Sequence, residues 1–265
     1  MDLAKMTLVD LGRTGLRVSP LGLGTVKFGR NQGVKYPSGF ELPDEDTLAD
    51  LLDLTRSLGI NLLDTAPAYG ASEERLGRLL AGQRDDWVLI GKVGEEFEGG
   101  VSSHHFTPDH FRRSLERSLQ RLRTDRIDIL LIHSDGSDMA ILQDDALMRT
   151  MADFRAEGTA RAIGVSTKTV EGGLRTLDLM DVVMATYTAG YRDEEPVLDR
   201  AAALGKGAIL KKVLSSGHAA DVPAALRFAF SHPGVASAVI GTINPAHLRQ
   251  IAACIDAATA ERRAG

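Results

Sequence analysis

The sequence has a single cysteine, Cys254. No intramolecular disulfide can form, and no Cys/His cluster stands at metal-ligand spacing, so neither a disulfide framework nor a zinc site is expected. Cys254 falls in the apolar helical pattern Leu248-Arg249-Gln250-Ile251-Ala252-Ala253-Cys254-Ile255, where a buried, inert thiol is predicted. The chain also lacks any apolar run approaching the roughly 20 residues of a membrane span. Its first twenty residues carry Asp2, Lys5, Asp10, Arg13 and Arg17 without a continuous apolar core, so no secretory signal is read there. A cytoplasmic, soluble protein without a membrane partner is the expectation. Basic excess is missing too: 31 basic residues stand against 36 acidic ones, a net charge of -5, which offers no surface suited to nucleic acid. The arginine-dense stretch from Arg112 to Arg126 is interleaved with Phe111, Leu115, Leu119 and Leu122 at helical spacing and reads as the solvated face of an amphipathic helix.

Two further absences bear on architecture. No Pro/Gly/Ser-rich linker or shift in composition divides the 265 residues, and 43% hydrophobic content is enough for one large core, so residues 1–265 read as one domain, with two small domains as the alternative. The glycine fingerprint of an open dinucleotide-binding sheet is also missing. Gly22-Leu23-Gly24-Thr25-Val26-Lys27-Phe28-Gly29 has glycines at the wrong spacing, and no acid-tipped second strand follows at the expected distance with a helix directly after the glycines.

What is present is alternation. Gly12-Arg13-Thr14-Gly15 sits between Thr7–Leu11 and Leu16–Val18 and reads as a β-hairpin. After it, strands are predicted near 21–25, 60–64, 87–92, 127–133, 160–165, 181–187, 206–211 and 235–241. Helices are predicted near 45–58, 72–81, 108–122, 142–157, 169–178, 194–204, 221–230 and 245–258, several with a cap before proline, as in Thr107-Pro108 and Asn244-Pro245. Eight strand and helix units in strict alternation predict a closed parallel (β/α)8 TIM barrel, with the hairpin as a plug at its bottom. Residues 27–43 and 94–107 read as loops over the active face. The paired His104 and His105 in the second lack a third ligand, so no metal is expected.

In such a barrel the loops that leave the carboxyl ends of strands carry the chemistry. Ile60-Asn61-Leu62-Leu63-Asp64 ends on an acid and is followed by a turn containing Tyr69. Trp87-Val88-Leu89-Ile90-Gly91-Lys92 ends on a lysine, and Ile127–His133 on a histidine. Each residue alone is unremarkable; an Asp, a Tyr, a Lys and a His at the ends or exit loops of three strands in order is a constellation.

With these four residues the sequence resembles the aldo-keto reductase family, whose tetrad is an Asp and a Tyr after the second barrel strand, a Lys ending the third and a His ending the fourth. The resemblance extends over nearly the whole chain, through the Gly12–Ser19 hairpin, Ile163-Gly164-Val165-Ser166, and Ala238-Val239-Ile240-Gly241-Thr242 with Asn244-Pro245. It implies an NAD(P)H-dependent oxidoreductase reducing aldehydes or ketones to alcohols. Tyr69 is then the proton donor, Lys92 the ammonium that lowers its pKa, Asp64 the partner that keeps Lys92 charged, and His133 the group that orients the carbonyl. The resemblance places the cofactor, NADP(H) with NAD(H) as a usable substitute, along Gly24, Thr25, Val26, Asp64, Ser166, Thr167, Met184, Lys211 and Lys212. It continues along Gly241, Thr242, Asn244, His247, Arg249 and Gln250.

Several positions depart from the family pattern. Thr167 follows Ser166 where Asn is usual, Met184 stands where Gln is common, and Lys211-Lys212 stand where an aromatic residue often stacks on the nicotinamide. Lys211, Lys212 or the amides of Ser215, Ser216 and Gly217 are candidates for the pyrophosphate. Gly241 and His247 occupy the places of a Lys and an Arg that hold the 2′-phosphate. What remains there is a helix start with free amides, Thr242, Asn244 and Arg249, which predicts a modest NADPH preference that strengthens as pH falls. The chain ends shortly after the eighth helix, so substrate contacts are expected from the loops after Val26 and Val93 and from Ser134-Asp135-Gly136, giving an open, weakly selective site. A nicotinamide-binding redox sensor and a barrel isomerase or lyase using Lys92 as a Schiff-base amine are the alternative functions. The expected partner is a small carbonyl compound, with the chain a monomer or weak homo-oligomer.

Overall fold

The computed structural model describes residues 5–264; residues 1–4, with the Asp2 of the amino-terminal reading, lie outside the described residues. In chain order the elements are β1 (Val9–Asp10), β2 (Arg17–Val18), β3 (Leu21–Gly24), α1 (Val26–Gly29), α2 (Glu45–Ser57), β4 (Leu62–Asp64), α3 (Ser72–Leu79) and β5 (Val88–Val93). There follow β6 (Glu95–Glu98), β7 (Val101–His104), α4 (Pro108–Leu122), β8 (Ile127–His133), α5 (Asp138–Gln143), α6 (Asp145–Ala156), β9 (Ala160–Ser166) and α7 (Val170–Leu179). The chain continues through β10 (Val182–Thr186), α8 (Glu195–Leu204), β11 (Gly207–Lys211), α9 (Val222–Ser231), β12 (Ser237–Ile240) and α10 (Pro245–Ala264).

Strands β3, β4, β5, β8, β9, β10, β11 and β12 run parallel and close into a barrel, β12 pairing back onto β3 through Ala238 and Leu21. This is the (β/α)8 architecture the alternation predicts. Its strands are covered on both faces, which is why β8 is an almost unbroken apolar run. One core lies between the strands and the helices; a second fills the barrel, with Leu62, Ile90, Ile129, Leu131, Val182 and Ile209. The β1–β2 hairpin inserts Leu11, Leu16 and Val18 into that inner core and so plugs one end of the barrel. Among the described residues no helix is long and apolar enough to cross a membrane.

Five expectations are corrected. Residues 142–157 are not one helix: α5 stops at Gln143, and the Asp144 carboxylate caps a fresh start by accepting from the amides of Ala146 (2.8 Å) and Leu147 (3.1 Å). Residues 94–107 are not only loop, since β6 and β7 pair antiparallel there, Glu98 opposite Val101. Helix α10 runs on to Ala264 rather than stopping near 258, and Cys254 on it is half-buried rather than buried. The arginines of α4 are more than a solvated face: Arg117 reaches Glu96, and Arg121 lies 3.4 Å from the fully buried Glu73.

The inner end of β8 carries one charge into the scaffold. Asp128, 1% exposed, accepts from Arg84 Nη2 (2.8 Å), from the Leu89 amide (2.9 Å) and from Arg161 Nη1 (3.2 Å). It ties β8 to the start of β5 and to β9. Removing one partner of such a group leaves buried donors uncompensated. Asp128→Ala is expected to lower the unfolding free energy by about 3–5 kcal/mol in a denaturant titration, whereas Asp85→Ala, in the exposed pair with Arg126, should leave the midpoint in place.

Candidate active site

Strands β3, β4, β5 and β8 are neighbours in the barrel, and their carboxyl ends bring polar groups to one mouth. Asp64 closes β4 in register with Ile90, and Lys92 lies two residues further on the same face of β5. Lys92 Nζ forms a close ion pair with Asp64 Oδ1, both side chains almost completely buried, and donates to the Thr65 carbonyl at 3.0 Å. The resemblance implied this pairing, and burial makes it necessary, because an isolated ammonium could not keep its charge there.

Tyr69 ends a single 3-10 turn, Pro67–Tyr69, and its hydroxyl donates to the other carboxylate oxygen of Asp64 at 3.3 Å. The turn is fixed from below. Thr25 Oγ1 lies 2.7 Å from Ser72 Oγ and donates to the Asp64 carbonyl at 2.8 Å, while Thr65 Oγ1 approaches the same serine at 3.1 Å. It is fixed from the side by two glycines. Gly70 has φ +61°, and a Cβ on it would lie 2.2 Å from the carbonyl of Gly29; a Cβ on Gly29 would meet the Ser72 amide at 2.2 Å. Backbone therefore packs on backbone beside Tyr69.

Burial, reinforced by the carboxylates of Asp64 and Glu95, pushes the Tyr69 phenol well above its usual range. The lowering expected from Lys92, whose ammonium lies 4.7 Å from the ring centroid, is outweighed in the free protein by burial and these carboxylates. In the free protein this favours the protonated phenol.

His133 closes β8, its ring edge-on to Tyr69 with centroids 6.4 Å apart. Its Nδ1 lies 2.8 Å from Oε2 of Glu95 on β6, although the N–H is not aligned along that line, so the ring sits in the field of the carboxylate without a formed hydrogen bond. Burial would push the Glu95 carboxyl up, but His133, Ser102 and His104 together bring it down to about 2. Burial pushes the His133 imidazole down, helped by the charges of Lys92 and Lys211 and opposed by Glu95. At neutral pH the pair is therefore a carboxylate facing a neutral ring. The sequence reading missed Glu95; the signal was an acid two residues beyond the end of an apolar strand.

These groups open onto a cavity of about 650 Å³. Of the residues the resemblance assigned to cofactor, Gly24, Val26, Asp64, Ser166 and Met184 line it, as do Lys211, Lys212, Gly241, Thr242, His247 and Gln250. Thr25, Thr167, Asn244 and Arg249 do not. Thr25 is committed to the bonds beneath Tyr69, and Thr167 is buried, its amide on the Met184 carbonyl at 3.2 Å.

The start of α10 offers fewer amides than expected. Asn244 Oδ1 accepts from the amides of Ala246 (2.9 Å) and His247 (3.3 Å), and Thr242 Oγ1 accepts from that of Asn244 (3.1 Å). The amides of Ser215 and Gly217 are likewise taken, by the carbonyls of Lys212 (2.7 Å) and Leu214 (2.8 Å). Lys211 turns inward to Ser166 Oγ (2.9 Å) and the Thr167 carbonyl (2.5 Å), where burial pushes its ammonium down against the opposing charge of Glu194.

The segment after β3 lies over the cavity, as the loop reading anticipated, and supplies Lys27, Arg30, Tyr36 and Phe40. Arg75 on α3 clasps its two ends, donating to the Phe28 carbonyl at 2.7 Å and to that of Pro43. The Ser134–Gly136 segment, expected to touch substrate, instead folds on itself through the Gly136 amide to Ser134 Oγ (2.9 Å) and does not line the cavity.

The fold and this mouth have counterparts. The family model described as "Aldo/keto reductase family" matches residues 20–219. The aldo-keto reductase YhdN of Bacillus subtilis is 31% identical over 200 residues, which cover 73% of this chain and 57% of that protein. L-galactose dehydrogenase of Arabidopsis thaliana is 30% identical over 203 residues, covering 72% of this chain and 59% of that one. The chain thus spans less than two thirds of the length of these curated relatives. The solved structure of PA4992 from Pseudomonas aeruginosa, assigned as an aldo-keto reductase, superposes with a TM-score of 0.89 at 52% identity, covering 97% of this chain and 98% of that one. The chain belongs to the aldo/keto reductase family, a family of oxidoreductases that generally use NAD(P)H.

The backbone contact beside Tyr69 is directly testable. Gly70→Ala forces a side chain into a left-handed conformation against the Gly29 carbonyl and is expected to cost about 1–3 kcal/mol of stability. Gly190→Ala, where a Cβ would meet nothing within 4 Å, should be close to neutral in the same thermal unfolding assay.

Proposed function

We propose that this chain is a single-domain carbonyl reductase that uses NADPH, with NADH as a weaker substitute, to reduce aldehydes or ketones to alcohols. The observation that carries the reading is the convergence of Asp64, Tyr69, Lys92 and His133, from three adjacent strands, on one small-molecule-sized cavity. The residues present fit a nicotinamide dinucleotide. Gly24 and Gly241 keep the wall free of side chains, Ser166 offers a hydroxyl, and Lys212, His247 and Gln250 line the far side. When bound, that cofactor supplies the hydride.

The chain's own residues supply the proton and the field. Tyr69, protonated in the free protein, exchanges its long bond to Asp64 for the substrate's carbonyl oxygen and donates its proton as that oxygen becomes an alkoxide. The phenolate left behind stands beside the Lys92 ammonium, whose charge favours it at that moment rather than in the resting state. Glu95 favours a proton on His133 Nδ1, so Nε2 is the nitrogen that meets the carbonyl, and it donates when the ring is protonated. A Schiff-base role for Lys92 would need a free amine, whereas its Nζ is held by Asp64 and the Thr65 carbonyl. A modest cofactor preference follows from the self-capped start of α10, with three amides unavailable to a 2′-phosphate.

Tyr69→Phe and Lys92→Met are each expected to lower kcat by about 100-fold or more while NADPH still binds in a fluorescence titration. Wild-type turnover in Tyr69→Phe would remove the mechanism. The pH profile checks the histidine. Because His133 titrates below its ordinary value, kcat/KM for carbonyl reduction should fall as pH rises through a limb below 6.5. Glu95→Gln removes a charge that raises the ring's pKa, so that limb should move to lower pH. A limb moving upward, or staying fixed, would contradict the Glu95 assignment.

A further inference from the structure

We infer that Lys211 makes this site favour the reduced cofactor over the oxidised one, by holding an ammonium beside the place where the nicotinamide becomes a cation; this rests on the carbonyl-reductase reading. In that reaction a hydride leaves the neutral dihydronicotinamide and, with the Tyr69 proton, turns the carbonyl into an alcohol. NADP+ is left with one positive charge more on its ring than NADPH carried. A fixed cation near that ring therefore acts on one redox state and not on the other.

The place of the ring follows from the carbonyl. Its oxygen meets Tyr69 and His133, and the hydride donor has to stand about 3–3.5 Å from its carbon. Ser166, whose hydroxyl is offered to the dinucleotide, is paired in register with His133 across β8 and β9. Lys211 closes β11, two strands beyond β9. Ile209 points into the barrel, so Lys211, two residues on, shares its inward face. From there its Nζ donates to Ser166 Oγ at 2.9 Å and to the Thr167 carbonyl at 2.5 Å, bonds that hold the ammonium in place at the nicotinamide end. Its charge reaches the reacting centre, since with Lys92 it helps to push the His133 imidazole down.

Lys211 is also the ligand-facing member of a charged cluster. Burial and the charges of Lys212 and Lys168 bring its ammonium down to about 7, against the pull of the buried carboxylates of Glu194 and Asp138. Lys211 lines the cavity, and neither of those carboxylates does. The acids that do line it, Asp64 and Glu95, come from β4 and β6 and face Lys92 and His133. Lys212 leaves the strand at φ +58°, and its charge is set against that of Lys35 on the segment over the mouth. Lys211 is thus the cation of β11 that bears on the ring, and the product cofactor leaves a site that holds it less tightly than the cofactor that entered.

The test is calorimetric titration of NADPH and of NADP+ into wild type, Lys211→Met and Ser166→Ala at pH 6, where the Lys211 ammonium is charged. Wild type is expected to bind NADPH about tenfold or more tightly than NADP+. Lys211→Met should bring the ratio of the two Kd values to within about twofold of one. Ser166→Ala removes a hydrogen bond but no charge, so it should weaken both forms alike and leave the ratio in place. Equal Kd values in wild type would overturn the inference, as would a ratio that survives Lys211→Met. A ratio lost in Ser166→Ala would place the discrimination on the hydroxyl and overturn it as well. Failure of both cofactors to bind wild type would instead remove the carbonyl-reductase reading, and this inference with it.

Discussion

A buried ammonium against a buried carboxylate organises the mouth of this barrel. Taking Lys92 and Asp64 out of water is unfavourable, and their mutual attraction offsets that only if every remaining donor and acceptor is placed. The Thr65 carbonyl accepts from the ammonium, and the Tyr69 hydroxyl donates to the carboxylate's second oxygen. Strand register makes the pair possible. Asp64 lies opposite Ile90, Lys92 lies two residues along, and the pleat aims both toward the barrel axis. Tyr69 is therefore positioned by the same carboxylate that holds the lysine.

A second carboxylate works differently a strand away. Glu95 keeps its charge to low pH despite burial, while the ring it faces is pushed toward neutrality. The two acids thus set opposite electrostatic conditions on either side of the phenol. One is ion-paired with Lys92, and the other faces an imidazole that can gain or lose a proton. The backbone contacts of Gly29 and Gly70 and the hydroxyls of Thr25, Thr65 and Ser72 keep the phenol between them. Preorganisation here comes mainly from backbone and buried hydroxyls rather than from long, flexible side chains.

The parts that were legible in the sequence follow from local pattern. Strands buried on both faces read as apolar runs, and β8 gave its limits to the residue. Residues that end such strands in order, Asp64, Lys92 and His133, carry their position with them. What was not legible depends on partners far apart in the chain. Glu95 matters because β6 turns it back to His133. The Gly99-Gly100 pair, both at positive φ, was the hairpin signal that could have found it. The upward shift of Tyr69 depends on burial and two carboxylates, neither visible from spacing. The amides at the start of α10 looked available because nothing local announced that Asn244 and Thr242 would take them.

Arg75 carries a consequence for change in this molecule. One guanidinium holds both ends of the segment that crosses the cavity, and it does so from α3, outside the segment itself. The ends are thus brought together by the scaffold whatever lies between them, and loop closure grows only slowly more unfavourable with length. Beyond Gly29 and Arg30, which contact the Tyr69 turn, the intervening residues can then be lengthened, shortened or exchanged with little strain on β3 or β4. In evolutionary terms the segment is a cassette: selectivity can drift through it while the proton-delivering half of the mouth stays under separate constraint.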